Sequence, residues 1–274
     1  MRKIVHLSDL HFCHIDPVVV PALRDTLYDV RPDIIVVSGD LTQRARDREF
    51  AAARAWLDTI SFPRLVVPGN HDVPLYNIFK RAFAPLAGYS KYFGEDLAPF
   101  HSDGEIAIAG VNTARSLTFK GGRINHRQAA ETCRRLHGSG EGVVRIIVTH
   151  HPFEPGHEND EEPVGRAAMA MREFAGCGVD LILSGHLHTT HARSSAERYD
   201  LPGYSALLIH AGTATSVRHR GEPNSFNIVE VDGSRVAVEQ WNWDAGPGRF
   251  IAGERQRFAR NDGAWRVLSG GAAA

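Results

Sequence analysis

The chain has 274 residues, 43% of them hydrophobic and 23% charged, with a formal net charge of -1. That length buries a substantial core in one large domain or two small ones, and the near-neutral balance gives no global field to draw in nucleic acid or an anionic membrane surface. No apolar run reaches the ~20 residues of a membrane span, and the opening MRKIVHLSDLHF enters a strand-like segment at once, so a soluble cytoplasmic protein is expected.

Short runs rich in Ile and Val recur along the first part of the chain, at 3–7, 33–38, 64–68, 105–111, 143–149 and 180–184. Their length and β-branching predict buried strands. Between them, 17–30, 46–60, 126–137 and 165–176 carry apolar positions at three- and four-residue spacing, as Val20, Leu23, Leu27 and Val30 do, and predict amphipathic helices. This alternation predicts a layered α/β fold. Beyond residue 190 the texture changes to strand-like segments at 191–199, 204–211, 225–232, 235–243 and 249–258. Turns at Pro202-Gly203, Asp232-Gly233 and Gly246-Pro247-Gly248 punctuate them, which predicts a mostly antiparallel half packed on the first. One domain over 1–268 with a frayed tail at 269–274 is expected. Cys13, Cys133 and Cys177 are scattered without a C-x-x-C pair, a pattern that predicts reduced thiols.

The chemistry gathers where the apolar runs stop. The first leads into Ser8-Asp9-Leu10-His11, the second into Gly39-Asp40 and the third into Gly69-Asn70-His71-Asp72. The fifth leads into His150-His151-Pro152 and the sixth into Gly185-His186-Leu187-His188. Ligands of α/β sheets collect at the carboxyl ends of strands. A single Gly-Asp there is an ordinary turn, and an isolated D-x-H or H-x-H is stronger because alternate residues of an extended chain share a side. Turn chemistry prefers Gly, Asn, Asp and Ser and has no use for so many histidines. Asp, His and Asn without thiolate suit Mn, Fe, Zn or Co better than Mg or Ca. The set is too large for one catalytic ion and right for two ions ~3.5–4 Å apart that clamp a phosphoryl group.

The ordered pattern DLH, GD, GNHD, a lone H and GHLH resembles the calcineurin-like metallophosphoesterases over residues 5–188, and the forms SDLHF, GDLTQ and GNHD are most similar to the bacterial phosphodiesterase branch that includes the class III cyclic-nucleotide phosphodiesterases. The resemblance implies a layered αββα sandwich. It implies one metal held by Asp9, His11, Asp40 and His188, and a second held by Asn70, His150 and His186 with Asp40 as the bridge. The pair would be Mn, Fe or Zn, with Mn or Fe/Mn favoured. His71 would act at the leaving-group oxygen as general acid or charge stabiliser, with Asp72 fixing its orientation by a hydrogen bond. Asn70 and His71 would also face substrate. The implied mechanism is in-line attack on phosphorus by a metal-bridging hydroxide.

Other residues carry weaker signals. His151, next to a ligand and directed elsewhere, reads as a support for it, and His6 as a packed core residue. Cys13 and His14 lie near the site beside an already complete ligand set. Arg44 lacks the D-R-G setting of the phosphoprotein phosphatases and reads as a solvated side chain. Arg218, His219 and Arg220 are candidate phosphate contacts or a basic surface turn, and the acidic loop 151–165 is a lid, a homodimer interface or a solvated loop. The expected substrate is a small soluble phosphodiester, cyclic nucleotides first. The alternative is a broad phosphodiesterase or phosphomonoesterase of the same mechanism. A nuclease fits less well, because the neutral balance speaks against a nucleic-acid polymer.

Overall fold

The computed structural model describes residues 1–116, 121–155, 162–217 and 221–268. In chain order the elements are β1 (Arg2–Leu7), α1 (Val19–Val30), β2 (Ile34–Val37), α2 (Asp47–Asp58), β3 (Arg64–Val66), α3 (Ile78–Phe83), α4 (Ala87–Phe93), β4 (Phe100–Ser102), β5 (Ile106–Gly110), α5 (His126–His137), β6 (Val144–Val148), α6 (Ala167–Gly176), β7 (Leu181–Ser184), β8 (His191–Ser194), β9 (Leu207–His210), β10 (Ser225–Asp232), β11 (Arg235–Asp244), β12 (Arg249–Asn261) and β13 (Ala264–Val267). Each of the early Ile/Val-rich runs forms a strand, and each amphipathic segment a helix. The short helices α3 and α4 lie where the sequence shows no clear period. The predicted strand at 191–199 stops at Ser194 and continues as a 3-10 turn.

Two sheets result. One has seven strands in the order β13-β12-β11-β10-β1-β2-β3, and the other six in the order β4-β5-β6-β7-β9-β8. The β1-β2-β3 and β5-β6-β7-β9 strands are parallel, whereas β10 pairs antiparallel with β1 and starts the antiparallel extension through β13. The strand alternation divides the core accordingly. Ile4, Ile34 and Val36 of the first sheet meet Ile108, Ile146, Leu181 and Leu183 of the second. Val5, Leu7, Ile35 and Val37 face the other way, onto Leu23 and Leu27 of α1 and Phe50 and Leu57 of α2. Ala107, Ile147 and Ile182 pack on Leu136 of α5 and Met171 and Phe174 of α6. The layers therefore run helix, sheet, sheet, helix.

Helix α5 opens on a reciprocal cap: Gln128 N donates to Asn125 Oδ1 at 2.9 Å and Asn125 N to Gln128 Oε1 at 3.2 Å. Its contact with α6 corrects one expectation. Cys133 on α5 and Cys177 at the end of α6 are joined by a disulfide, their Cα atoms 5.5 Å apart, while Cys13 is free and exposed. Packing of the two helices brings together thiols that lie 44 residues apart in sequence, a proximity their spacing does not reveal. Among the described residues no helix is long and apolar enough to cross a membrane. The tail 269–274 lies outside the described residues, as do Arg218, His219 and Arg220 and the middle of the acidic loop, 156–161.

Candidate metal centre

Strands β1, β2 and β3 of one sheet and β6 and β7 of the other end at the same rim, so the five polar clusters meet although they come from two sheets. The backbone turns abruptly as it leaves each strand. Asp9 (φ 52°), His11 (φ 46°), Asp40 (φ 52°), His186 (φ 73°) and His188 (φ 59°) all occupy the left-handed region that side chains other than Gly seldom adopt. The D-x-H and H-x-H motifs are thus not extended segments presenting alternate residues. They are tight turns that fold both side chains inward.

Two glycines make this approach feasible. A Cβ on Gly69 would lie 2.1 Å from Asp40 Oδ1, and one on Gly185 would lie 1.7 Å from Ser8 Oγ and 2.7 Å from Asp9 Oδ2. Around them, backbone amides hold the carboxylates. Asp40 Oδ1 accepts from His71 N at 2.8 Å, and Asp9 Oδ2 accepts from His186 N at 2.9 Å and from Ser8 Oγ at 2.6 Å.

The histidine rings are oriented by main-chain carbonyls. His11 Nδ1 lies 3.2 Å from Thr42 O, and His150 Nδ1 lies 2.8 Å from Ser38 O. With hydrogen on Nδ1, each Nε2 presents a lone pair to the interior. There His11 Nε2 lies 3.5 Å from Asp9 Oδ1 and 3.8 Å from Asp40 Oδ2, and His150 Nε2 lies 3.4 Å from Asp40 Oδ1 and 2.9 Å from Asn70 Oδ1. His188 Nε2 is 3.3 Å from Asp9 Oδ1, and His186 Nδ1 is 3.3 Å from His150 Nε2. Asp9, His11 and His188, and likewise Asp9, Asp40 and His150, offer ligand atoms within 4.8 Å of one another. The buried Asp9 Oδ1 and His11 Nε2 have no hydrogen-bond partner. Acceptors crowded against acceptors in a buried place call for cations between them, so the residues fit bound metal ions.

The electrostatics agree. Burial opposes ionisation of Asp9 and Asp40, yet His188 beside Asp9 and His150 beside Asp40 hold both carboxyls well below the usual carboxylate range. Burial likewise opposes a charged His150, but Asp40 overcomes it and pushes that pKa up to about 9, a measure of the pull this carboxylate exerts on positive charge. His186 goes the other way, to about 3, through burial and the neighbouring His150.

His71 is half-buried at the rim, its ring centroid 4.9 Å from that of His11. Its support differs from expectation: Nδ1 meets the Gln43 carbonyl at 2.8 Å, not Asp72. The fully buried Asp72 carboxylate accepts instead from Gly69 N and Thr42 N, both at 2.9 Å, from Leu41 N at 3.2 Å and from the Thr42 hydroxyl at 2.9 Å. It fastens the loop after β3 to the loop after β2, and so sets the backbone of Asn70 and His71. The Thr42 and Gln43 carbonyls belong to the site and escape sequence reasoning, because a backbone carbonyl leaves no trace in residue type. The Ser8 and Thr42 hydroxyls, which donate to Asp9 and Asp72, escape it because Ser and Thr at strand ends are ordinary turn residues.

Of the remaining candidates, His6 is fully buried against Ser38 Oγ at 2.9 Å, and His151 Nδ1 meets Thr113 Oγ1 at 2.8 Å with its ring 4.9 Å from those of His150 and His186. Cys13 and His14 are exposed. Arg44 packs over Tyr76, 5.2 Å from its ring centroid.

Two sheets sandwiched by helices, with an Asp/His/Asn cluster at the common strand ends, define a metallophosphoesterase fold. The family model for calcineurin-like phosphoesterases matches residues 2–190, and the chain belongs to that family. Among curated relatives, a probable cyclic nucleotide phosphodiesterase of Synechococcus is 24% identical over 160 residues, 55% of this chain and 58% of that protein. The glycerophosphodiester phosphodiesterase GpdQ of Enterobacter lignolyticus is 48% identical over 42 residues, 15% of each chain. The chain thus matches little more than half the length of the first relative and a small part of the second. Among solved structures, purple acid phosphatase PPD1 from yellow lupin superposes with a TM-score of 0.69 at 14% identity, covering 92% of this chain and 52% of that one. GAP50, the anchor in the inner membrane complex of Plasmodium, superposes at 0.64 and 13% identity, covering 96% and 90%. At such identities the two structures share the fold.

Proposed function

We propose that the chain is a dinuclear metal-dependent hydrolase of small phosphodiesters, with cyclic nucleotides as the leading substrate class. The observation that carries this reading is the ring of acceptors facing acceptors: His11 Nε2 and His150 Nε2, tautomers set by carbonyls, turned on the ionised Asp9 and Asp40. Asp9, His11, Asp40 and His188 would hold one ion, and Asn70, His150 and His186 the other, with Asp40 shared. When bound, the ions would supply positive charge against the phosphoryl oxygens and lower the pKa of the attacking water. The remaining work falls to the chain. Asn70 and His71 reach the substrate from the rim, where the Gln43 carbonyl keeps hydrogen on His71 Nδ1. A protonated His71 Nε2 then gives its proton to the departing alkoxide. Asp72 acts on that step through the backbone it holds.

Both named relatives are phosphodiesterases, one by name of cyclic nucleotides and one of glycerophosphodiesters, which supports a diester over a monoester. The bond between Cys133 and Cys177 is of a kind that persists in oxidising compartments, and it favours such a location over the cytoplasm expected from scattered thiols. The test is a panel on metal-stripped protein reloaded separately with Mn2+, Fe2+ or Zn2+. It compares 3′,5′- and 2′,3′-cyclic nucleotides, glycerophosphodiesters, monoesters, single-stranded DNA and bis(p-nitrophenyl) phosphate. Turnover of diesters above monoesters is expected. No turnover with any metal, or monoesters preferred throughout, would reject it.

A further inference from the structure

Among the described residues, and away from the Asp9–Asp40 cluster with its neighbours His150, His151 and His186, one other group of side chains has the composition of a metal site. Glu154 follows β6, His191 opens β8 and His210 closes β9, and they bring three candidate ligand atoms within 4.8 Å of one another. Glu154 Oε1 lies 2.5 Å from His191 Nε2 and 3.2 Å from His210 Nε2, and the two rings are nearly parallel, centroids 4.2 Å apart and planes at 19°. The Asp9 cluster is arranged alike. Asp9 Oδ1 faces His11 Nε2 at 3.5 Å and His188 Nε2 at 3.3 Å, with those rings at 16°. A carboxylate oxygen set against Nε2 of two near-parallel imidazoles is therefore built twice, from different loops.

His210 shows what the second arrangement lacks. Its side chain is fully buried, its Nδ1 lies 3.3 Å from Ser184 Oγ, and its Nε2 has no hydrogen-bond partner. With the Nδ1 hydrogen directed to Ser184, the Nε2 lone pair confronts the Glu154 carboxylate. The single proton between Glu154 and His191 cannot also serve His210. A buried imidazole nitrogen turned on a carboxylate, with no hydrogen-bond partner, has the disposition of a metal ligand. One divalent cation would satisfy all three atoms together. The route in is open on the His191 side. That side chain is 14% exposed, and a cleft of about 100 Å3 beside it is lined by Thr190, His191, Asn227, Gln240, Glu254 and Gln256.

We propose that Glu154, His191 and His210 form a separate mononuclear site for a divalent transition-metal ion. A His2Glu set suits Zn2+ and leaves one of its four positions to solvent. The ion would tie the loop after β6 to the two strands β8 and β9, and its role is to brace that side of the rim. It takes no part in the reaction, so it stands whether or not the phosphodiesterase reading holds.

The experiment counts ions. Wild type and Glu154→Gln are stripped of metal, equilibrated with Zn2+, freed of excess and analysed for zinc per chain. The same pair is repeated in the Asp40→Asn background, which empties the other cluster. Wild type should hold one zinc more than Glu154→Gln, and this difference of one should persist with Asn at position 40. Zinc should also raise the Tm of Asp40→Asn by ~5 °C and leave that of the double variant unmoved. If Glu154→Gln does not fold, His191→Ala, at the part-exposed ring, makes the same comparison. Equal counts in both backgrounds would reduce the cluster to a proton-sharing triad and overturn the proposal. A difference confined to the wild-type background would assign the ion to the Asp9–Asp40 cluster and overturn it too.

Discussion

At the scale of single residues, the rim stores strain. Left-handed backbone at a non-Gly residue costs about 1–3 kcal/mol, and five candidate metal ligands share it, so the surrounding hydrogen bonds must over-determine their geometry. Asp72 is the main fastener. Its replacement by Ala would leave the amides of Gly69, Leu41 and Thr42 unpaired in a fully buried place, and we expect a loss of roughly 3 kcal/mol in urea unfolding. An unfolding midpoint equal to wild type would show that water replaces the carboxylate without cost. His71 tests the chemistry instead. If its Nε2 protonates the leaving group, His71→Ala lowers kcat on an alkoxide-releasing diester about 10²–10³-fold and far less on a p-nitrophenyl ester, which needs no acid. Metal content should stay at the wild-type level. Equal losses on both esters, or loss of metal by elemental analysis, would remove His71 from that role.

At the scale of elements, much was legible beforehand. The five clusters GD, GNHD, DLH, H and GHLH end strands as their apolar runs require, and helices α1, α2, α5 and α6 follow their apolar spacing to within a few residues. The legible part is what local patterning controls. Helix α3 escapes because Leu75, Tyr76, Ile78, Phe79 and Phe83 are exposed apolar residues that blur the period, and α4 spans only Ala87–Phe93, about two turns, too short to show one. The Asp72–His71 hydrogen bond is what the family resemblance implies, and the structure has Gln43 O in its place because the tight turn after β3 sends the two side chains in different directions. The α5–α6 disulfide escapes for a topological reason, since both helices pack on one face of the second sheet. Closing a loop of 44 residues, it should contribute about 4 kcal/mol by the chain-entropy argument, at the upper end of what such bonds deliver. Dithiothreitol should therefore lower the Tm of wild type and leave a Cys133→Ser/Cys177→Ser variant, already less stable, unchanged. A variant as stable as wild type would show the helix pair to be held by packing alone.

At the scale of the whole molecule, the two sheets meet over a layer of Ile, Val and Leu that is interrupted near the rim by buried polar groups. His6, on β1 and three residues before the candidate ligand Asp9, is one of them. Its Nε2 is 2.9 Å from Ser38 Oγ, and burial, reinforced by the neighbouring His210 and against the pull of Asp9, lowers its pKa to about 3 from 6.5. The folded state thus keeps His6 neutral while the unfolded chain takes up a proton below about pH 6.5. Unfolding is then coupled to proton uptake. The contribution is complete above pH 6.5 and falls as the pH drops towards 3. Between pH 6.5 and 4.5 the loss from this one group amounts to about 2–3 kcal/mol. His6→Gln keeps a hydrogen-bonding partner for Ser38 and does not titrate, so it separates this contribution from that of the carboxylates. Urea unfolding of both proteins at pH 7 and pH 4.5 should show the wild type losing more stability on acidification by that amount, with the variant's curve the flatter one. Parallel curves would mean that His6 is protonated without cost in the folded state, and that the layer between the sheets admits water beside β1.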